Sequence, residues 1–257
     1  MPSKSTLAKF RRLVVTWFGR HGRDLPWRRT RDPYRILVSE FMLQQTQVSR
    51  VEGFYHRFID RYPDLSALAA SSPALVRESW EGLGYYRRAD NLHRLARTIQ
   101  ADYAGTIPAD VETLRRLPGV GRYTAGAVAT FAFEMAEAAV DTNVARVLRR
   151  AFHPRTGATA REERRLWNTA KALVPESGPN AWSFNQGIME LGARVCTARE
   201  ARCGECPVRP VCYTGRRRTG ARAGRGRRSG APATPAPRKS SRTAPASRGA
   251  RRTTAPD

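Results

Sequence analysis

The sequence has few acidic residues and almost no lysine. Its 257 residues include 46 basic and 22 acidic side chains, which give a formal net charge of +24, and arginine supplies 42 of the 46 basic ones. Residues 1–212 carry +12, and the segment from Tyr213 onward carries the other +12. A surplus of this size on both parts argues against a cationic partner and favours a polyanion, and nucleic acid fits best.

The sequence also lacks long apolar runs. None approaches the roughly 18–20 residues that span a bilayer, so we expect no membrane contact. The N-terminal segment is amphipathic and basic and has no continuous apolar core of the kind found in signal peptides. We therefore expect a cytoplasmic protein, associated with the nucleoid, that is not secreted.

Strand-like alternation of apolar and polar residues is missing, and the apolar periodicity is helical throughout. Three sites have the spacing of helix N-caps: Ser72 before Pro73, Asp110, and Thr159 with Glu162 three residues later. The sequence therefore predicts an all-α protein.

The chain is long enough for one large domain or two small ones with a hydrophobic core. Segment 36–51 is mostly apolar and predicts one buried helix. From residue 213 to residue 257 the composition narrows to basic, small and polar types with proline. Such a composition cannot bury a core, and it predicts a disordered basic tail.

A glycine-containing turn, LPGVG at residues 117–121, interrupts the helical pattern. Pro118 cannot continue a helix, and Gly119 and Gly121 can adopt positive φ angles and allow close approach to the backbone. The helix that begins near Tyr123 would offer free N–H groups to a phosphate. The same residues also fit a helix–helix turn without a ligand, and on these residues alone we weigh the two interpretations equally.

The four cysteines give the strongest local pattern. They form a C-x6-C-x2-C-x5-C array comprising Cys196, Cys203, Cys206 and Cys212. Disulfides are disfavoured without export to an oxidising compartment. Zinc remains an alternative, but zinc sites usually have two close cysteine or histidine pairs, and this array has one. Four thiolates on a tight loop favour a [4Fe–4S] cluster, in which each iron needs one sulfur ligand.

Several segments together resemble a known family. They are LPWR (25–28), DPY (32–34), SEFMLQQTQV (39–48), GLGYYRRADNLH (82–93), LPGVGRYTAGA (117–127) and FNQGIMELG (184–192). With the cysteine array they resemble the MutY family of adenine DNA glycosylases, which belongs to the helix-hairpin-helix glycosylases with an iron–sulfur loop. The resemblance covers about residues 7–212.

The resemblance implies a monomer with a two-lobed fold. A six-helix barrel with the helix-hairpin-helix would comprise residues 29–136. The iron–sulfur lobe would combine residues 1–28 with residues 137–212, and the segment 213–257 would be the disordered tail. The cluster would have a structural role, because hydrolysis of a base needs no redox step, and its arginine-rich loop would present positive charge to DNA.

Two carboxyls carry the implied chemistry. Glu40 lies in an apolar stretch, where a carboxyl group keeps its proton and can act as a general acid; a surface glutamate is the alternative interpretation. By resemblance Glu40 protonates N7 of adenine and later assists the water. Asp141 is by itself compatible with an ordinary N-cap. The resemblance makes it the carboxylate beside the anomeric carbon, held and tuned by Asn143 and Tyr123.

Position 123 also separates reaction types within the superfamily. Relatives that cut the DNA strand have a lysine there, which forms a Schiff base, whereas this sequence has Tyr123. The resemblance therefore implies a monofunctional enzyme that removes the base and leaves an abasic site.

The remaining implied residues bind the substrate, double-stranded DNA containing adenine opposite 8-oxoguanine or guanine. Gln45 would wedge into the base stack, and Tyr85 would insert beside the orphaned base once the target base has left the duplex. Trp27 and Arg28 would border the adenine pocket, and Gln186 would read the edge of adenine. Gly119 and Gly121 would grip a phosphate, with the help of a bound monovalent cation.

The sequence departs from the family pattern in two places. Thr142 follows the implied catalytic aspartate, where the family usually has glycine, and its β-branched side chain restricts the backbone. Typical members also carry a Nudix-like C-terminal domain that recognises 8-oxoguanine, and here the basic tail stands in its place. The preference for 8-oxoguanine over guanine therefore stays open.

Two other functions are compatible with parts of the pattern. A thymine or uracil mismatch glycosylase on the same scaffold would also have Tyr123, but QQTQV beside Glu40 and the presence of Gln186 argue against it. A non-catalytic iron–sulfur protein that binds DNA would have no need of both Glu40 and Asp141.

Overall fold

The protein is helical throughout the part that its computed structural model describes, residues 2–154 and 159–218. The helices are α1 (Lys4–His21), α2 (Pro33–Leu43), α3 (Val48–Arg61), α4 (Leu65–Ala70), α5 (Pro73–Glu78), α6 (Arg87–Asp102), α7 (Val111–Leu114), α8 (Arg122–Phe133), α9 (Thr142–Phe152), α10 (Ala160–Leu173) and α11 (Gly178–Arg194). Within these residues no strand forms, and one isolated bridge joins Cys196 to Ala201. The predicted all-α class is confirmed.

The helix starts follow local sequence rules. The Ser72 hydroxyl accepts a hydrogen bond from the Leu75 backbone N–H at 3.3 Å, with Pro73 in the first turn of α5. Asp110 caps α7 by the same type of bond. Thr159 and Glu162 form a reciprocal capping box at the start of α10. These three predicted caps are confirmed.

The predicted single helix over residues 36–51 is wrong. Helix α2 ends at Leu43 and α3 begins at Val48, and the polar residues between them form a turn in which Gln45 has a φ of 57°. The turn directs this polar segment towards a cleft instead of burying it in a continuous helix. The carbonyls at the end of α2 are satisfied by the Arg88 guanidinium, a long-range contact that local periodicity does not reveal.

Two hydrophobic cores organise the described residues. The first contains side chains from Leu25 to Ala139, with Phe41, Phe58 and Trp80 fully buried at its centre. The second combines α1 with apolar side chains of residues 138–212. Helix α1 packs against α11 and α10, so the start of the chain lies with its C-terminal part. The two cores are the basis on which we propose the two lobes.

The predicted disorder from Tyr213 onward is wrong for the first six residues. Residues 213–218 are helical, and the Thr214 hydroxyl donates a hydrogen bond to the Arg150 carbonyl oxygen at 2.7 Å. This contact attaches the segment to the second core. Residues 219–257 of the predicted tail lie outside the described residues. Among the described helices, none is long and apolar enough to cross a bilayer.

Candidate active site

A cleft of about 1020 Å³ lies between elements of the two cores. Helices α2 and α8 line one side, and α9, α10 and α11 line the other. Eight of the candidate residues line it: Trp27, Arg28, Glu40, Gln45, Tyr123, Asp141, Asn143 and Gln186. The fold therefore brings together residues that are up to 159 positions apart in the sequence.

Glu40 is buried at the edge of this cleft, with 5% of its surface exposed. Its Oε2 atom has no hydrogen-bond partner among the described residues. Burial raises the pKa of Glu40 to about 7, the Tyr123 hydroxyl opposes this rise, and the negative charge of Asp141 adds to it. The carboxyl group therefore holds a proton up to neutral pH.

Asp141 is held in a different way. It is the N-cap of α9, where it accepts hydrogen bonds from the Val144 backbone N–H and from the Asn143 side-chain amide, both at 2.7 Å. Burial raises the pKa of Asp141, and these two donors together with the charge of Arg146 oppose the rise. Both of its oxygens accept hydrogen bonds, which favours the ionised form of Asp141, whereas Glu40 has an oxygen without a partner among the described residues.

Thr142 is the first residue of α9 and does not have a positive φ angle. Glycine is needed where the backbone enters the left-handed region, and this turn does not enter it. The threonine that departs from the family pattern is therefore accommodated without backbone strain.

A fully buried carboxylate that the sequence analysis did not single out, Glu190, organises the wall of the cleft. Arg23 donates to both of its oxygens, at 2.7 and 3.0 Å, and Arg28 donates to Oε2 at 2.9 Å. Burial acts to raise the pKa of Glu190, but Arg23 and Arg28 overcome this effect and hold it below its ordinary value. Arg28 in turn donates to Gln186 Oε1 at 2.7 Å.

The spacing of four residues between Gln186 and Glu190 places both on one face of α11. The spacing of these two polar residues was the available signal for Glu190. Their arginine partners come from residues 23–28, more than 150 positions earlier, and no local pattern points to them.

Arg146 is a second residue that the sequence analysis missed. Its Nη2 donates to the Asn143 side-chain oxygen at 2.7 Å and to the Gly192 carbonyl at 2.8 Å. Its Nε donates to the Cys196 carbonyl at 2.8 Å. Arg146 thereby fixes the first turn of α9, which carries Asp141, against the end of α11 and the first cysteine.

The two glycines of the hairpin differ from one another. Gly119 has a φ of 76°, and a Cβ atom there would lie 2.8 Å from the Asn91 Cβ and 2.9 Å from a Phe41 ring atom. Gly121 precedes α8 with a φ of −87°, and a Cβ there would meet nothing within 4 Å. Of the two glycines, only Gly119 uses the positive φ that glycine allows. Neither glycine lines the cleft.

Tyr85 also lies outside the cleft, with 60% of its surface exposed. Its φ of 49° is in the left-handed region, as is that of Gln45 at 57°. Such angles are uncommon for residues other than glycine, and they mark both positions as conformationally constrained.

The four cysteines line a single cavity with the apolar side chains of Val147, Leu191 and Val195. Two of the sulfurs accept hydrogen bonds: Cys196 from Arg150 and Cys212 from the Gly215 backbone, both at 3.3 Å. Within residues 2–154 and 159–218, no three cysteine, histidine or acidic side chains converge closely enough to hold one metal ion.

Known proteins resemble this chain over most of its length. The adenine DNA glycosylase of Mycolicibacterium smegmatis is 50% identical over 196 residues, which make up 76% of this chain and 66% of that protein. The thymine-DNA glycosylase of Aeropyrum pernix is 38% identical over 212 residues, 81% of this chain and 95% of that protein. The chain thus spans about two thirds of the length of its mycobacterial relative.

Solved structures and sequence families agree with these similarities. The structure of a thermostable thymine-DNA glycosylase superposes with a TM-score of 0.77 at 32% identity, covering 83% of this chain and 98% of that one. Residues 38–172, from α2 to the end of α10, match the sequence family of these repair proteins. The chain belongs to the HhH-GPD superfamily of base excision DNA repair proteins.

Proposed function

We propose that this protein is a monofunctional DNA glycosylase that excises adenine mispaired with 8-oxoguanine or guanine. The observation that carries the proposal is the pair of carboxyls in the cleft: Glu40, whose pKa burial raises to about 7, and Asp141, whose two oxygens accept hydrogen bonds. The 50% identity to an adenine glycosylase, against 38% to a thymine glycosylase, supports adenine as the target. The proposal places the protein at chromosomal DNA in the cytoplasm.

The reaction needs one proton and one stabilised cation. The Glu40 carboxyl donates its proton to N7 of adenine, so that the electron pair of the N-glycosidic bond leaves with a neutral base. The positive charge that develops on the sugar faces the Asp141 carboxylate, which Asn143 and the Val144 N–H hold in place. Water then adds to the anomeric carbon, and its proton returns to Glu40.

Tyr123 limits the reaction to base removal. Its hydroxyl lies within hydrogen-bonding reach of Glu40, and burial strongly raises its own pKa, so it stays neutral. A phenol cannot form the Schiff base through which an amine nucleophile leads to strand cleavage. The product is therefore an abasic site in an intact strand.

The adenine must leave the duplex to reach Glu40. We assign the wedge to Gln45, at the mouth of the cleft, and the insertion beside the orphaned base to the exposed Tyr85. Trp27, Arg28 and Gln186 line the wall next to Glu40, where the extruded base would lie.

We assign a DNA phosphate to the hairpin that precedes α8. The backbone at Gly119 cannot carry a side chain without displacing Asn91 or Phe41, and the open space at Gly121 allows a ligand close to the first N–H groups of the helix. A monovalent cation at the hairpin carbonyls would complete this site.

We assign a [4Fe–4S] cluster to Cys196, Cys203, Cys206 and Cys212. The shared cavity and the N–H donors to two of the sulfurs fit a cubane. When bound, it would cross-link segment 196–212 by four iron–sulfur bonds. The chain's own contribution is to hold that segment against α9 through Arg146 and Arg150.

A thymine or uracil mismatch glycosylase is the second candidate, because the Aeropyrum relative is covered over 95% of its length. Single-turnover excision from four duplexes separates the two: adenine opposite 8-oxoguanine, adenine opposite guanine, thymine opposite guanine, and uracil opposite guanine. We expect release of adenine alone, with strand breaks only after alkali. Release of thymine or uracil would favour the second candidate, and breaks without alkali would contradict the role of Tyr123.

The role of Glu40 has its own test. Glu40→Gln keeps the size of the side chain and removes the acidic proton, so adenine release should fall by about 10²-fold or more, while DNA binding stays near that of the unsubstituted protein. Excision at an undiminished rate would refute the acid role.

A further inference from the structure

Arg88, in the first turn of α6, is a buried cation without a carboxylate partner. It is 6% exposed, and no described acidic side chain forms an ion pair with it. Its guanidinium instead donates to six backbone carbonyls that belong to two separate segments. It also lies over the rings of Trp80 and Tyr85, at 5.5 and 5.4 Å from the ring centroids. A buried charge that is retained without an acidic partner calls for an explanation, because a neutral side chain would avoid the desolvation.

One set of carbonyls ends α2. Arg88 Nη1 donates to the carbonyl oxygens of Phe41 at 3.0 Å, of Met42 at 2.6 Å and of Gln44 at 2.6 Å. The last carbonyls of a helix have no partner within the helix and lie at the negative end of its dipole. Arg88 therefore caps α2 from another helix, immediately before Gln45 takes its left-handed conformation.

The other set lies in the loop before α6. Arg88 Nη2 donates to the carbonyl of Gly84 at 2.9 Å and to that of Leu83 at 3.4 Å, and Nε donates to that of Tyr85 at 3.4 Å. Gly82, Gly84 and Tyr85 have φ angles of 86°, 77° and 49°. The positive φ angles of this loop need stabilising contacts from residues outside the loop. The need is greatest at Tyr85, because it is not a glycine.

We propose that Arg88 is a positioning residue that joins Gln45 and Tyr85 into one rigid unit for entry into DNA. The inference rests on the proposed function, in which these two side chains enter the duplex. Gln45 directly follows the Gln44 carbonyl that accepts a hydrogen bond from Arg88, and the Tyr85 carbonyl accepts one itself. Both residues have φ angles in the left-handed region. Movement of one segment away from the other would break hydrogen bonds to the same guanidinium.

Lysine cannot replace this arrangement. A guanidinium has five N–H donors in a planar fork, which here reach both segments at once, whereas an ammonium group offers three donors around one atom. Arg88→Lys keeps the charge and leaves several of the six carbonyls without a partner. The adjacent Arg87 is exposed and provides the matched control, Arg87→Lys.

The first experiment compares two duplexes that contain adenine opposite guanine. In one, the flanking pairs are intact; in the other, mismatches on both sides weaken the stacking of the target. With intact flanks, we expect Arg88→Lys to release adenine at least roughly tenfold more slowly than the unsubstituted protein, and with weakened flanks we expect most of that loss to disappear. Arg87→Lys should match the unsubstituted protein on both.

Equal losses on the two duplexes would point to a general structural defect and would overturn the proposal, as would an Arg88→Lys variant with full activity. Absence of adenine release by the unsubstituted protein would instead refute the proposed function. The two failures are therefore distinguishable.

The second experiment does not depend on the folding of an Arg88 variant. Gln45→Ala, Tyr85→Ala and the double variant are compared by the fluorescence rise of 2-aminopurine placed at the target position opposite guanine. If the two side chains act as one unit, the effects on the extrusion rate are non-additive, with the double variant close to the slower single one. Effects that multiply, as for independent sites, would overturn the proposal.

Discussion

Glu40 is the residue where stability and function conflict most directly. Its carboxyl is buried with one oxygen unpartnered, and its pKa rises from an ordinary 4.5 to about 7. The folded protein therefore binds this proton more tightly than the unfolded chain does. The stabilising effect is fully present below pH 4.5 and is lost as the pH rises through 7.

Glu40→Gln should therefore stabilise the protein at high pH. Glutamine has the same shape and never ionises, so at pH 8 we expect the free energy of unfolding to exceed that of the unsubstituted protein by ~1–3 kcal/mol. The gain should shrink as the pH falls towards 5. Denaturant unfolding at several pH values measures it, with Glu81→Gln on the exposed surface as control. A pH-independent difference would contradict the buried proton.

Tyr123 tunes this same group. Its hydroxyl interacts with the Glu40 carboxyl and lowers the pKa of Glu40, against the effect of burial. Tyr123→Phe removes the interaction, so the pKa of Glu40 should rise further. The alkaline limb of the pH profile of kcat/KM should then move to higher pH, because the acid stays protonated for longer. A shift to lower pH would mean that Tyr123 stabilises the protonated form instead.

At the scale of elements, the crossing of α9 and α11 sets the position of Asp141. A Cβ atom on Gly192 of α11 would lie 2.7 Å from the Asn143 Cβ and 2.9 Å from the Asn143 carbonyl oxygen. Arg146 connects the same two residues, because it donates hydrogen bonds to the Asn143 side-chain oxygen and to the Gly192 carbonyl oxygen. The first turn of α9 is thus held both by close packing and by a cation.

Gly192→Ala should therefore lower the rate of adenine excision. The added methyl group forces Asn143 and the turn that carries Asp141 away from α11, and a displacement of about 1 Å at a reacting group costs on the order of 10²-fold in rate. The matched control is Gly19→Ala in α1, where a Cβ would meet nothing within 4 Å. Alanine there should leave activity unchanged, so similar losses in both variants would refute the steric explanation.

The elements show which parts of the fold the sequence could predict. Caps at Ser72, Asp110 and Thr159 depend on residues within one turn, and these predictions were confirmed. The carbonyls at the break between α2 and α3 accept hydrogen bonds from Arg88, more than 40 positions further along, and apolar periodicity, which cannot reveal such a contact, wrongly predicted one helix there.

The candidate site also contains residues that the sequence could identify and residues that only long-range contacts reveal. Glu40 could be identified because its apolar neighbours are adjacent in sequence, and the family motifs supplied Asp141 and the remaining residues. Glu190 and Arg146 could not be identified, because their roles arise from arginine contacts that only the folded chain creates. Sequence alone could not tell which of the two hairpin glycines adopts positive φ; the structure shows it for Gly119 and not for Gly121.

At the scale of the whole molecule, a large share of the positive charge belongs to residues 219–257. Residues 219–257 contain ten basic residues and one acidic residue. A chain truncated after residue 218 keeps both hydrophobic cores and the attachment of Thr214 to Arg150. It should therefore still recognise its substrate.

This truncation should change the salt dependence of DNA binding. Each phosphate neutralised adds about 0.9 to the slope of log affinity against log salt, so the full chain should have the steeper slope and the two affinities should converge at high salt. Fluorescence anisotropy with labelled duplexes from low to high salt measures both slopes. Parallel lines would show that the final segment makes no contact with phosphates.

The pairing of α1 with α10 and α11 has a consequence for biosynthesis. The first core is built from one continuous stretch of chain, so it can form while the remainder is still being synthesised. Helix α1 precedes the first core in the sequence, yet the helices that its apolar face packs against, α9, α10 and α11, all follow that core. Docking of α1 must therefore wait until these later helices have been synthesised.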